Sequence, residues 1–69
     1  MKDAEKALLF AIAQGQEPHE AIAAQGNEKQ NTYYLYKWAR LGWYEYGVNV
    51  CYGWLTEAGK MVASKVQVS

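Results

Sequence analysis

The chain has 69 residues, 51% of them hydrophobic, with three Trp and six Tyr. A chain this short forms one domain, residues 1–69, and it buries only about 60% of the surface that its unfolded form exposes. Its large aromatic side chains give it the material for a core and exclude a disordered polypeptide. Seven basic residues balance seven acidic ones, so the net charge is zero. That balance argues against tight, charge-driven binding to a nucleic acid unless the cations are gathered locally.

Other absences narrow the field. One cysteine, Cys51, excludes an internal disulfide framework and a cysteine-based zinc site, and it favours a reducing, cytoplasmic setting. No apolar run approaches the roughly 20 residues that span a bilayer, so no membrane association is expected. The segment MKDAEKALLFAIAQG carries acids at Asp3 and Glu5 and no small-residue cleavage site, unlike a signal peptide.

In chain order, Asp3 is placed to cap a first helix running to about Gln14, with Gly15 as its stop. Ala4, Leu8, Ala11 and Ile12 line one side and Leu9 widens it. Phe10 points nearly opposite to Leu8, because two residues are about 200° apart on a helix. It is expected to pack under the C-terminal helix, with a dimer contact as the alternative. Pro18 suits the first turn of a second helix, about Pro18 to Gln25, where its missing N–H costs nothing. Small residues at Ala21, Ala23 and Ala24 allow a neighbouring helix to approach.

Gly26 and Asn27 turn the chain into a third helix over residues 27–41. Asn27 is a suitable N-cap, and Gln30 three residues on completes a capping box. Leu35, Trp38 and Leu41 follow at i, i+3 and i+6 and are assigned to the buried side. Gly42 ends the helix in the left-handed position. Two helices joined through a glycine-containing turn are the pattern of a helix-turn-helix.

The period then changes. Trp43–Tyr46 and Val50–Leu55 read as strands around the turn Gly47-Val48-Asn49. Alternation predicts that Trp43 and Leu55 face the helices. Tyr44, Tyr46, Tyr52 and Trp54 would then share the outer face of the hairpin. Thr56 caps a last helix with a stripe of Ala58, Met61, Val62 and Val66. Gly59 inside that helix costs about 1 kcal/mol relative to alanine, which implies a close backbone approach. The last three residues are expected to fray.

Chemistry-bearing residues are few. His19 stands beside Glu20 with no further metal ligands nearby, and reads as a surface residue. Cys51 has no adjacent base and reads as a small strand residue. No nucleophile–base pair, paired carboxylates or glycine-rich phosphate loop can be assembled, so neither catalysis, a cofactor nor a metal is expected. The charge distribution is more informative. Between Lys29 and Tyr44 there is no acid, and Lys29, Lys37 and Arg40 alternate with Tyr33, Tyr34 and Tyr36.

Two stretches carry a family resemblance. AIAAQGNEKQNTYYLYKWARLGWYE (21–45) is similar to the second helix, turn, recognition helix and wing entry of winged helix-turn-helix domains. YGWLTEAGK (52–60) is similar to the Tyr-x-Leu-Thr-x-x-Gly that closes their wing. Together they make the chain resemble MarR- and PadR-type bacterial transcriptional regulators. The resemblance implies an α+β winged helix-turn-helix fold: three helices, a β-hairpin wing and a C-terminal helix.

It also implies that helix 27–41 enters the major groove of duplex DNA, as in a small transcriptional regulator. Gln30 and Asn31 would pair with adenine and Lys29 would donate to guanine. Tyr33, Tyr34, Lys37 and Arg40 would hold phosphates or stack on sugars. The zero net charge and uncharged wing tip motivate a second expectation. In it the fold is a scaffold that binds a protein partner, or a second copy of itself, through Tyr44, Tyr46, Tyr52 and Trp54.

Overall fold

A computed structural model describes residues 1–66, and its elements follow the punctuation of the sequence. They are α1 (Asp3–Ala13), α2 (Pro18–Gln25), α3 (Glu28–Leu41), β1 (Tyr44–Tyr46), β2 (Gly53–Leu55) and α4 (Glu57–Lys65). Four helices and a two-stranded antiparallel hairpin make a small α+β fold. The expected fraying of residues 67–69 lies outside the described residues.

Helix α1 begins one residue earlier in its capping than expected. Lys2 occupies the N-cap with no side-chain cap bond, and Asp3 and Glu5 lie in the first turn. Acidic residues in a first turn are favoured by the positive end of the helix dipole. Its buried stripe is Glu5, Leu8, Leu9 and Ile12, while Ala4 is exposed. Pro18 opens α2, which buries Pro18, Ala21 and Ile22.

The α2–α3 connection differs from a capping box. Asn27 adopts φ 50° and ψ 54°, and its side chain caps nothing. An N-cap needs extended backbone to fold its side chain back over the first amides, and left-handed backbone aims it away. The lock comes instead from Asn31, whose Nδ2 donates to the Gly26 carbonyl at 2.9 Å. Gly26 itself has φ 73°, a conformation that a side chain would oppose.

Helix α3 buries Asn31, Tyr34, Leu35 and Trp38, at i, i+3, i+4 and i+7. Leu41, expected beside Leu35 and Trp38, is 51% exposed. Each three-residue step falls about 60° short of a full turn, so the third member of an i, i+3, i+6 series rotates off the face. Gly42 closes the helix with φ 83°. Its N–H donates to the Ala39 carbonyl, and Trp43 N–H to the Trp38 carbonyl, a Schellman arrangement.

The hairpin register pairs Tyr44 with Leu55, Glu45 with Trp54, and Tyr46 with Gly53. Cross-strand partners share a face, so Tyr44 sits with Leu55 against the helices. This reverses the expected parity of the first strand, and a one-residue difference moves every side chain to the other face. The strands are also shorter than predicted. Val50 belongs to the six-residue connection 47–52, is buried, and accepts a 2.6 Å hydrogen bond from the Tyr44 hydroxyl. Burial pushes the Tyr44 phenol well above the usual tyrosine range, so it remains a donor.

Thr56 joins α3, the hairpin and α4. Its hydroxyl donates to the Gly42 carbonyl at 2.6 Å and accepts the Gly59 N–H at 3.1 Å, the expected cap. Gly59 is required as the sequence implied: a Cβ there would overlap the Trp43 carbonyl oxygen. The face of α4 turned inward is Gly59 and Ala63 with Val62 beside them. Ala58 and Met61, assigned to the stripe, are exposed. The close approach at Gly59 sets that rotation. The core joins Leu8, Leu9 and Ile12 to Ala21, Ile22, Tyr34, Leu35, Trp38, Tyr44, Val50, Leu55 and Ala63.

Candidate nucleic-acid interface

The buried stripe of α3 leaves the opposite side of that helix facing outward. Lys29, Tyr33, Tyr36 and Arg40 recur there at i, i+4, i+7 and i+11, and all four are exposed. At 100° per residue these four lie within about 60° of one another, and at 1.5 Å per residue the two cations are about 16 Å apart. Among the described residues neither cation lies within 4 Å of a carboxylate in an ion pair; the two ion pairs present are Lys37–Glu5 and Lys60–Glu57. The result is a ridge with a cation at each end and two tyrosine rings between. A shallow groove runs beside it, lined by Glu28, Lys29, Thr32, Tyr33 and Tyr36.

The rings are held from behind. Tyr36 meets Tyr46 of β1 edge to face, with centroids 6.1 Å apart at 86°. Tyr46 touches the buried Tyr44, and Tyr44 meets Trp38 at 6.5 Å. An aromatic chain thus runs from the core to the exposed ridge. Edge-to-face pairs of this kind fix ring orientation at a gain of about 0.5–1.5 kcal/mol each.

Three of the expected DNA contacts are placed differently. Asn31 is 2% exposed and committed to the Gly26 carbonyl, so it holds the α2–α3 turn and cannot meet a base edge. Tyr34 is buried in the core beside Leu35. Lys37 lies about 80° around the helix from Lys29 and is bound to Glu5. Its Nζ is 3.2 Å from Oε1 and 3.1 Å from Oε2. Gln30 is half-buried and lines a second groove with Met1, Lys2, Glu5, Tyr33, Tyr34 and Lys37.

Glu5 was not anticipated as a structural residue. It is 2% exposed, and its Oε2 also accepts the Trp38 Nε1 hydrogen bond at 2.9 Å. A buried carboxylate is costly unless paired and hydrogen-bonded, and Lys37 and Trp38 supply both.

The expected outer face of the hairpin is divided. Tyr44 is 1% exposed, because the register turns it inward with Leu55, so it leaves that face. Tyr46 is half-buried against Tyr36. Tyr52 and Trp54 remain exposed but line different grooves. Tyr52 stacks on His19 with ring centroids 4.6 Å apart. His19 is therefore half-buried and not a free surface residue, and its Nδ1 is enclosed without a hydrogen-bond partner among the described residues. Trp54 stands over a groove formed by Gly15, Gln16, Glu17, Pro18 and Lys60.

Among the described residues no group of three or more His, Cys, Asp or Glu is arranged to hold a metal ion. No helix among them is long and apolar enough to cross a membrane. Phe10 is exposed along a groove that it shares with Lys60, Ala63, Ser64 and Val66, so α4 flanks it without covering it. Comparison of the chain with protein families, with characterised proteins and with solved structures finds no match.

Proposed function

We propose that the chain is a small DNA-binding protein of the winged helix-turn-helix type, acting as a transcriptional regulator, with α3 as the helix that meets duplex DNA. The reading rests on one observation: α3 presents Lys29, Tyr33, Tyr36 and Arg40 in a single outward line, with both cations outside ion pairs among the described residues. The element order supports it. Helices α2 and α3 are joined by two residues, Gly26 and Asn27, and the hairpin follows α3 directly. In this arrangement the hairpin is the wing, α1 and α2 brace the back of α3, and α4 closes the domain.

The physical roles follow from position. Lys29 and Arg40 reach phosphates from the two ends of the helix, which sets its register on the duplex. Tyr33 and Tyr36 lie against sugars and base edges between them. Gln30, at the N-terminal end, is the side chain with an amide for base recognition. Two phosphate contacts give a salt dependence with a log–log slope of about 1.8 in magnitude. That is shallow, because only two cations of the ridge are counted as phosphate contacts. Binding through the hairpin face has less support, because Tyr44 is in the core and Tyr52 and Trp54 line separate grooves.

The test is fluorescence anisotropy of a labelled 20-base-pair duplex at low salt and along a KCl series. The wild-type chain should bind with the shallow slope given above. The double change Lys29→Glu and Arg40→Glu should abolish the complex while leaving the thermal unfolding midpoint in place. Absence of binding by the wild type at low salt, or equal binding by the double variant, overturns the proposal.

A further inference from the structure

Glu5 lies at the edge of the same surface, on another helix. Its carboxylate is held in place from two sides. Trp38 Nε1 donates to Oε2 from the core, and the Lys37 ammonium bridges both oxygens from the solvent side. The Glu5 side chain is 3% exposed and that of Lys37 39%, so the acid is fixed while the lysine stands in the open. The groove above the pair is lined by Met1, Lys2, Gln30, Tyr33, Tyr34 and Lys37, and it runs beside the Tyr33 end of the ridge. On the helical period Lys37 lies about 40° around α3 from Tyr33, on the flank next to it.

We infer that Glu5 is a positioning residue that withholds Lys37 from the nucleic-acid backbone, acting as an internal counter-ion that limits how tightly α3 binds. This rests on the DNA-binding reading above. A phosphate approaching Lys37 meets a neutral pair and must compete with a carboxylate that cannot swing away. The ridge therefore offers two cations where the sequence has three. The arrangement keeps the complex weak and sets its salt response, without any change to the residues that touch DNA.

The substitution Glu5→Gln isolates this effect. The amide oxygen can still accept the Trp38 indole hydrogen bond, and the Lys37 side chain, 39% exposed, is released from its partner. The experiment compares wild type, Glu5→Gln, Lys37→Gln and the double variant on the same labelled duplex along a KCl series. Near-ultraviolet circular dichroism of the packed aromatic side chains confirms that each is folded. Glu5→Gln should tighten binding roughly threefold to tenfold at low salt and steepen the log–log slope by about 0.9, the value of one added phosphate contact. Lys37→Gln alone leaves the Glu5 carboxylate without its cation, so it should lower affinity modestly while keeping the slope near that of wild type. The double variant should lose the gain.

Wild-type binding with an unchanged slope in Glu5→Gln overturns the inference and leaves the DNA reading intact. So does a gain that survives in the double variant, whose net charge equals that of wild type, since it would then have a source other than Lys37. A slope shallower by about 0.9 in Lys37→Gln, the loss of a full phosphate contact, has the same consequence. If no folded variant binds the duplex, the DNA reading fails and the inference falls with it.

Discussion

The molecule carries two groups of aromatic residues, one on α3 and one on the hairpin, and they end in different places. On α3 the helical period separates the roles: Tyr34 and Trp38 go to the core, and Tyr33 and Tyr36 stay on the ridge. On the hairpin a single register decides everything. Tyr44 pairs with Leu55 and is buried, Tyr46 follows it part of the way, and Trp54 is turned out beside Glu45. A helix can give both a core face and a continuous working face to one short segment. A two-stranded ribbon of three residues each must commit one face to the core, and what remains outside is too broken to form a patch.

This contrast predicts opposite behaviour for chemically alike substitutions. Tyr44→Ala removes a fully buried ring and should cost about 3–5 kcal/mol, enough to unfold a domain of this size. Tyr33→Ala should fall within about 0.5 kcal/mol of wild type, as exposed positions do, while weakening the DNA complex. Chemical denaturation of the two variants measures the difference. Equal costs would erase the distinction between ridge and core.

A smaller change sharpens the hairpin side. Tyr44→Phe removes the donor to the buried Val50 carbonyl and should cost about 1–3 kcal/mol at neutral pH. The pH dependence carries its own sign. The folded phenol titrates above the unfolded one because burial disfavours the phenolate. Its contribution is therefore complete below the unfolded pKa of about 10 and is lost as pH rises beyond it. Wild-type stability should decline above about pH 10, and that limb should flatten in Tyr44→Phe. An identical alkaline decline in both proteins would remove Tyr44 as its cause.

The parts of this fold that are legible in the sequence are those with local causes. Pro18 at the start of α2, Gly42 at the end of α3 and the Thr56 cap each follow from backbone chemistry within a few residues. Gly59 shows in the sequence only as a costly helix residue, and what it approaches, Trp43, lies on the hairpin side of α3. What the sequence conceals depends on distant partners. Glu5 lies on an apolar stripe as if misplaced, and its reason is Lys37 and Trp38, 32 and 33 residues away. Asn31 resembles a base-reading side chain until the Gly26 carbonyl is seen to claim it. The parity of the hairpin places the Tyr44 hydroxyl against the Val50 carbonyl, a pairing that no alternation of letters encodes. Of the candidate site, Lys29, Tyr33 and Arg40 could be found in the sequence. Tyr36 completes the same i, i+4, i+7, i+11 line, visible once the helix is counted from Lys29.

The most direct test of the central claim, that α3 and not the hairpin is the working surface, is amide and indole chemical-shift mapping by nuclear magnetic resonance during titration with a short duplex. The largest shifts should fall on Lys29, Gln30, Tyr33, Tyr36 and Arg40, with the Trp54 indole N–H unmoved. Shifts centred on Trp54 and Tyr52, with α3 silent, would contradict it.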